Sequence, residues 1–400
     1  MRKGPAQPAP RERRVLLSRD GAPSRRLRSV RRQSRSIRVT WGDGAAGTFH
    51  HLWLRDNCGC PQCRHPDTLE RILDPLSVPA DLEAASVSIS DAGGLRVEWQ
   101  PGGHVSDYDA DWLRGHRGGA SDRSHCGPAP AMWGAELSKA MPGADYGDVT
   151  GSDDALMTWL RLLRDFGVAV LRGTPREPLS VLALAGLIGP ARATNFGEHF
   201  DVVSKPDPNS NAYTALGLPC HTDLPNWERP PDYQLLHCLE NDAEGGDSVL
   251  VDGFRAADEL RRREPAAYRL LTRFPIDFRF QDDESDIRFR APTVALDEAG
   301  AVAEVRFNFA VMDAISAPPE RVGALCRALR AFAVVIRDPA LECHYRLNPG
   351  ELLIFDNRRV LHGRAAFDPS TGRRHLQGCY VDRDQLLSRI RVLERSASLQ

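Results

Sequence analysis

The 400-residue chain has no run of eighteen or more apolar residues, so no segment reads as a membrane-spanning helix. Its first residues lack the apolar stretch of a secretory signal, and the expectation is a soluble cytoplasmic protein with no membrane partner. It shows no internal repeat and no phosphate-cradling glycine loop, which argues against solenoid and P-loop architectures. Cysteine is sparse: the nine residues are mostly scattered, which excludes a disulfide framework in a chain of this length.

Net charge is also nearly absent, at −2, but its distribution is uneven. Residues 1–36 hold eleven Arg and one Lys against two acids, leaving this tail at about +10 and the remainder at about −12. An Arg-rich, acid-poor start suits a nucleic-acid arm or a mitochondrial transit peptide, while its Pro, Ala and Gly content suits a disordered tail, the reading adopted. The acidic body argues against nucleic acid as a partner.

With 42% hydrophobic residues, the chain can bury one large core and a small one. "SIRVTWGDGAAGTFHHLWL" reads as two strands around a turn and "VSISDAGGLRVEW" as a hairpin, giving a small, mostly β domain over 37–116. Residues 117–151, rich in Gly, Pro, Ala and Ser, read as a linker. The second domain, 152–400, opens with a helix over Asp153–Phe166, capped by Ser152 and stopped by Gly167. A second helix falls near Leu179–Leu187, and then strands such as "YQLLHCL", "DSVLVDGF" and "EVRFNFAV" alternate with helical "RAADELRRREPAAYRLLTRF" and "PERVGALCRALRAFAVVIRD". A closing helix follows near Gln385–Leu393. This pattern fits an α+β chain built on a double-stranded β-helix, a jelly roll, with flanking helices.

"HTD" sets His221 and Asp223 two residues apart, so on a strand both face one side. With His362 from "FDNRRVLHGR" they would occupy one face of an octahedron and leave three positions open, which suits ferrous iron. Arg374, twelve residues beyond His362, can grip the distal carboxylate of a dicarboxylic cosubstrate, and its neighbour Arg373 would face the other way.

"AYTALGLPCHTDLPNWERPPDYQLLHCLENDAEGGDSVLVDGF", "FDNRRVLHGRAAFD" and "RRHLQGCYVDRD" together resemble the gamma-butyrobetaine dioxygenase group of 2-oxoglutarate and iron(II) dependent oxygenases, from about Ile37 to the last helix. The resemblance implies iron on His221, Asp223 and His362, 2-oxoglutarate on Arg374, dioxygen as co-reactant and ascorbate as reductant. In the small domain, Cys58, Cys60 and Cys63 of "DNCGCPQC" with His104 can close a tetrahedral, structural zinc site, and packing alone poorly explains three cysteines in six residues. No helix studded with basic residues accompanies them, as a nucleic-acid-reading finger would need. The other cysteines, Cys220 included, read as buried filler.

The substrate implied is a small quaternary ammonium compound, gamma-butyrobetaine first, with a trimethylammonium phosphonate or another betaine-like amine second. Phe196, Phe200 and Tyr213 fall where the group places its aromatic cage, with Phe where eukaryotic members carry Tyr and Trp. Asn308 falls where the substrate's anionic end would lie. A non-catalytic zinc module binding nucleic acid, a zinc hydrolase and a homodimer stay open at this level.

Overall fold

A computed structural model describes residues 26–117, 129–203 and 214–397. Contacts divide the chain into two compact units, Met1–Gly127 and Pro128–Gln400.

In the first unit, Leu27–Arg32, Ser36–Trp41 and Ala46–His50 form one antiparallel sheet, and Glu83–Ile89, Leu95–Gln100 and Val105–Tyr108 form another. Strand alternation turns Ile37, Val39 and Trp41 inward with Leu95, Val97 and Trp99, all in one core. Two expectations need correction here. The tail assigned to residues 1–36 contains the strand Leu27–Arg32, because "LRSVRR" buries Leu27, half-buries Val30 and leaves its arginines exposed while pairing with Ser36–Trp41. Residues 1–25 lie outside the described residues. "HLWLRD", read as a strand end, is instead the helix His51–Asp56, opened by the Leu52 N–H donating to His50 Nδ1 at 3.3 Å and burying Leu54.

The second unit contains two larger sheets. One orders Gly143–Asp145, Val168–Arg172, Glu351–Asp356, Tyr233–Asn241, Arg374–Val381 and His199–Val203; the other orders Leu218–His221, Val360–Arg364, Ser248–Asp252 and Cys343–Tyr345. Inward residues of the first, such as Val170, Phe355 and Leu376, share one buried cluster with Leu250 and Val360 of the second, so the sheets pack face to face. The outer face of the six-stranded sheet is covered by the helices Asp153–Phe166, Ser180–Ala185 and Arg383–Ala397. Gly253–Arg263, Pro265–Arg273 and Pro319–Ile336 cover the outer face of the other. Paired antiparallel sheets with helices outside are what a jelly-roll core requires. Among the described residues no helix is long and apolar enough to cross a membrane.

The linker expected at 117–151 is largely part of this unit. Residues 118–128 are outside the described residues, but Trp133, Leu137 and Met141 bury themselves in the inter-sheet cluster. Gly143–Asp145 then adds a parallel edge strand beside Val168–Arg172. "EVRFNFAV" is strand only to Val305, because Arg306 turns inward to pair with Glu304 and to donate to the carbonyls of Trp227 and Glu228 at 2.8 and 2.9 Å.

One turn passes the chain from the larger sheet to the smaller, just before His362. There the buried Arg359 guanidinium forks onto Asp252 at 3.1 and 2.8 Å and donates to the carbonyls of Asp165 and Ala131. Satisfied on every side, this ion pair fixes where the Val360–Arg364 strand begins.

Candidate active site

Register brings the two histidines together. His221 and His362 are direct Cα partners across the antiparallel strands Leu218–His221 and Val360–Arg364. The approach depends on Gly363, where a Cβ would lie 2.5 Å from the Leu218 carbonyl oxygen. His362 shares strand parity with Val360 and so faces the space between the sheets.

Asp223 arrives by a different route than expected. The strand ends at His221, and Asp223 sits in a bend followed by Leu224 at φ 53°, a left-handed conformation that a non-glycine residue holds only when its surroundings impose it. The buried Asn357 carboxamide does this, accepting from the Asp223 N–H at 2.7 Å and donating to the Asp223 and Pro231 carbonyls at 3.0 Å each. Thr222 is locked to Phe307 by two further bonds of 2.8 and 3.0 Å.

The donor atoms converge. Asp223 Oδ1 lies 3.3 Å from His221 Nε2 and 3.7 Å from His362 Nε2. Cis ligands about 2.1 Å from a common ion sit roughly 3 Å apart, so the set needs little adjustment to close on a metal. His221 Nδ1 lies 2.9 Å from the Pro219 carbonyl, which can accept its N–H and so turns Nε2 toward the other donors. Burial and the neighbouring His221 push the His362 pKa down to about 3. Burial opposes charge on Asp223, but His362, His221 and Tyr380 outweigh it and hold the carboxyl well below its usual range.

Arg374 is buried on the inward face with Leu376, as strand parity requires. Its Nε has no partner among the described residues, while its Nη2 donates to the Gly246 carbonyl at 3.4 Å. Burial lowers its pKa; burial together with Arg374 pushes Arg364 down to about 10. Both guanidinium groups lie over Phe367. A buried, inward-facing Arg374 with an unmet donor suits an incoming carboxylate. Arg373 faces out and pairs with Glu240 at 3.0 Å, as expected.

Aromatic residues extend from the donors. The Phe200 ring stands over Gly378, where a Cβ would lie 2.4 Å from it, and packs against Tyr380 at 5.3 Å and Phe196 at 6.4 Å between centroids. Phe280 closes edge-on against Phe196 at 5.7 Å. Tyr213 lies outside the described residues. Asn308 lies beside Thr222 with its oxygen accepting from the Ala310 N–H at 3.0 Å and its nitrogen donating to the Thr222 carbonyl at 3.4 Å. Sequence reading missed Asn357, Phe280 and Tyr380. Tyr380 was within reach, since it shares strand parity with Arg374.

The first unit holds a second donor cluster. Sγ of Cys58, Cys60 and Cys63 lie 3.4, 3.7 and 3.6 Å from His104 Nε2. Ligands at about 2.3 and 2.0 Å around a tetrahedral ion stand roughly 3.6 Å apart, which these separations match. Cys220, Cys238, Cys343 and Cys379 are buried and free, as the filler reading expects, but Cys326 is only half-buried, on the Pro319–Ile336 helix, and Cys126 lies outside the described residues.

Residues 124–380 match the family model described as taurine catabolism dioxygenase TauD, TfdA family. The chain belongs to that dioxygenase family. Residues 28–114 match a gamma-butyrobetaine hydroxylase-like N-terminal model. A gamma-butyrobetaine dioxygenase of Pseudomonas sp. (strain AK-1) is 47% identical over 362 residues, covering 90% of this chain and 94% of its own. The human gamma-butyrobetaine dioxygenase is 32% identical over 371 residues, covering 90% and 94%. A solved asparagine oxygenase with Fe(II) is a looser likeness, with TM-score 0.46, 24% identity and 65% and 88% coverage. Family membership sets aside the reading as a non-catalytic zinc module.

Proposed function

We propose that this dioxygenase hydroxylates a small quaternary ammonium substrate, with gamma-butyrobetaine giving carnitine as first candidate. It would use ferrous iron on His221, Asp223 and His362 and 2-oxoglutarate anchored by Arg374. The observation that carries the reading is the open three-donor set sharing an inter-sheet space with the unmet Nε of a buried arginine. The names of the relatives support the substrate.

Iron held by His221, Asp223 and His362 would supply the chemistry for reducing dioxygen and decarboxylating 2-oxoglutarate to succinate. The chain's own residues do the rest. Pro219 orients His221, Asn357 fixes the backbone of Asp223, and Arg374 meets the distal carboxylate of 2-oxoglutarate. Phe196 and Phe200 offer ring faces to a trimethylammonium group, which cannot donate hydrogen bonds and is cheaply desolvated. Tyr213 is a further wall of that cage, and the second amide hydrogen of Asn308 is left for the substrate's anionic end. In the first unit, Cys58, Cys60, Cys63 and His104 hold a structural zinc ion.

The test is product analysis by mass spectrometry beside succinate release, with ferrous iron, ascorbate and 2-oxoglutarate. Gamma-butyrobetaine, trimethyllysine, a trimethylammonium phosphonate and 4-aminobutyrate are compared. Hydroxylation coupled to succinate is expected only with trimethylated compounds, because a primary ammonium leaves buried donors unpaired at roughly 1–3 kcal/mol each. Efficient hydroxylation of 4-aminobutyrate would refute the cage.

A further inference from the structure

Asp223 divides its two carboxylate oxygens between different partners. Oδ1 faces both imidazoles, while Oδ2 accepts a hydrogen bond from the Tyr380 hydroxyl at 2.8 Å. Tyr380 is well placed to hold it. The residue is buried, its backbone pairs with Gln234 inside the six-stranded sheet, and its carbonyl accepts from the Arg192 N–H at 2.8 Å. Its ring packs on Phe200, so one side chain touches both the iron-ligand carboxylate and the aromatic wall.

We propose that the Tyr380 hydroxyl is a positioning group that keeps Asp223 a one-oxygen ligand and ties the metal site to the aromatic wall. A carboxylate free to turn can chelate through both oxygens and fill a position that cosubstrate or dioxygen needs. A donor on Oδ2 blocks that turn and holds Oδ1 aimed at the point the two imidazoles face. A cation settling against Phe200 also bears on the neighbouring Tyr380 ring, so occupancy of the wall reaches Asp223 through a single residue. The inference rests on the reading of His221, Asp223 and His362 as the iron site.

Two variants separate the hydroxyl from the ring: Tyr380→Phe removes only the former and Tyr380→Leu removes both. Each is studied as full-length apo-protein under anaerobic conditions, by equilibrium binding of ferrous iron and by the visible charge-transfer band formed with 2-oxoglutarate. Oxygenated assays then compare succinate with hydroxylated product. For Tyr380→Phe, the expectation is about tenfold weaker iron binding, the lower end of the usual cost of losing a ligand's outer partner. Its charge-transfer band shifts, succinate outruns product several-fold, and affinity for gamma-butyrobetaine stays within about twofold. Tyr380→Leu loses iron affinity likewise and gamma-butyrobetaine affinity as well. Iron affinity within twofold of wild type and an unshifted band in Tyr380→Phe would overturn the proposal while leaving the iron site standing. Failure of the wild-type chain to bind iron would instead remove the iron-site reading, and this proposal with it.

Discussion

The cluster of Cys58, Cys60, Cys63 and His104 and the cluster of His221, Asp223 and His362 differ by one donor and by what the donors are. Four donors, three of them thiol sulfurs, are enough to complete a tetrahedron and would leave nowhere for a reactant, so a metal held there would serve only the shape of the chain. Two imidazoles and a carboxylate would fill half an octahedron and leave the remainder to cosubstrate and dioxygen. The supports differ in the same sense. Three of the four closed-site donors fall within six residues of one turn, so a local segment builds most of it. The open site joins two strands by register, a bend by the Asn357 carboxamide, and a carboxylate by Tyr380.

Swapping the damage between the clusters is the strongest way to break this contrast. His221→Ala should abolish coupled hydroxylation, a loss of more than about a thousandfold, with melting within a few degrees of wild type. Cys60→Ser should do the reverse. It should lower thermal stability by several degrees, through lost zinc coordination, while the remaining folded enzyme turns over normally. Scanning calorimetry beside turnover per folded molecule decides the matter, and a Cys60→Ser enzyme inactive at full stability would break the contrast.

A smaller effect sharpens what the open positions are for. Arg374→Ala should raise the KM for 2-oxoglutarate by roughly 30- to 150-fold, the worth of a buried charge-assisted pair at about 2–3 kcal/mol, with ferrous iron binding unchanged. Isothermal titration with each ligand separates the two. Equal weakening of both would mean that Arg374 supports the metal site rather than the cosubstrate.

Much of this division was legible in the sequence, for physical reasons that differ by element. The Asp153–Phe166 helix matches its reading because cap, dipole and stop signals agree locally, and Ser152 Oγ does accept from the Ala155 N–H at 3.4 Å. The donors were legible because ligand chemistry restricts residue type and spacing. The Leu27–Arg32 strand was not, since three arginines and a serine out-voted the Leu27 and Val30 that it turns inward. Nor was the bend at Asp223, because it is imposed by Asn357 from far along the chain rather than by its own neighbours. Tyr380 gave a signal in its parity with Arg374, but its hydroxyl contact with Asp223 depends on tertiary packing.

The smallest expected effect concerns acid. It acts outside both clusters, at the buried His237. Burial pushes its pKa down to about 4, with Nε2 against Thr174 Oγ1 at 3.1 Å. A folded-state pKa below the unfolded value of about 6.5 means that its stabilisation is fully present above that pH and is lost as pH falls toward 4. Urea unfolding at pH 7 and pH 5 should show the wild type losing roughly 1–2 kcal/mol more than His237→Gln over that interval. Equal losses in the two proteins would remove His237 from the acid response.

The comparison of closed and open sites is tested most directly by following metal content through mild chelation. Wild-type protein carrying both metals is dialysed against a chelator under anaerobic conditions, and zinc, iron and activity are measured on the same samples. The account predicts that about one zinc per chain stays and that iron leaves with the activity. Activity returns when ferrous iron alone is added back. Zinc and iron leaving together, or activity surviving the loss of iron, would contradict it.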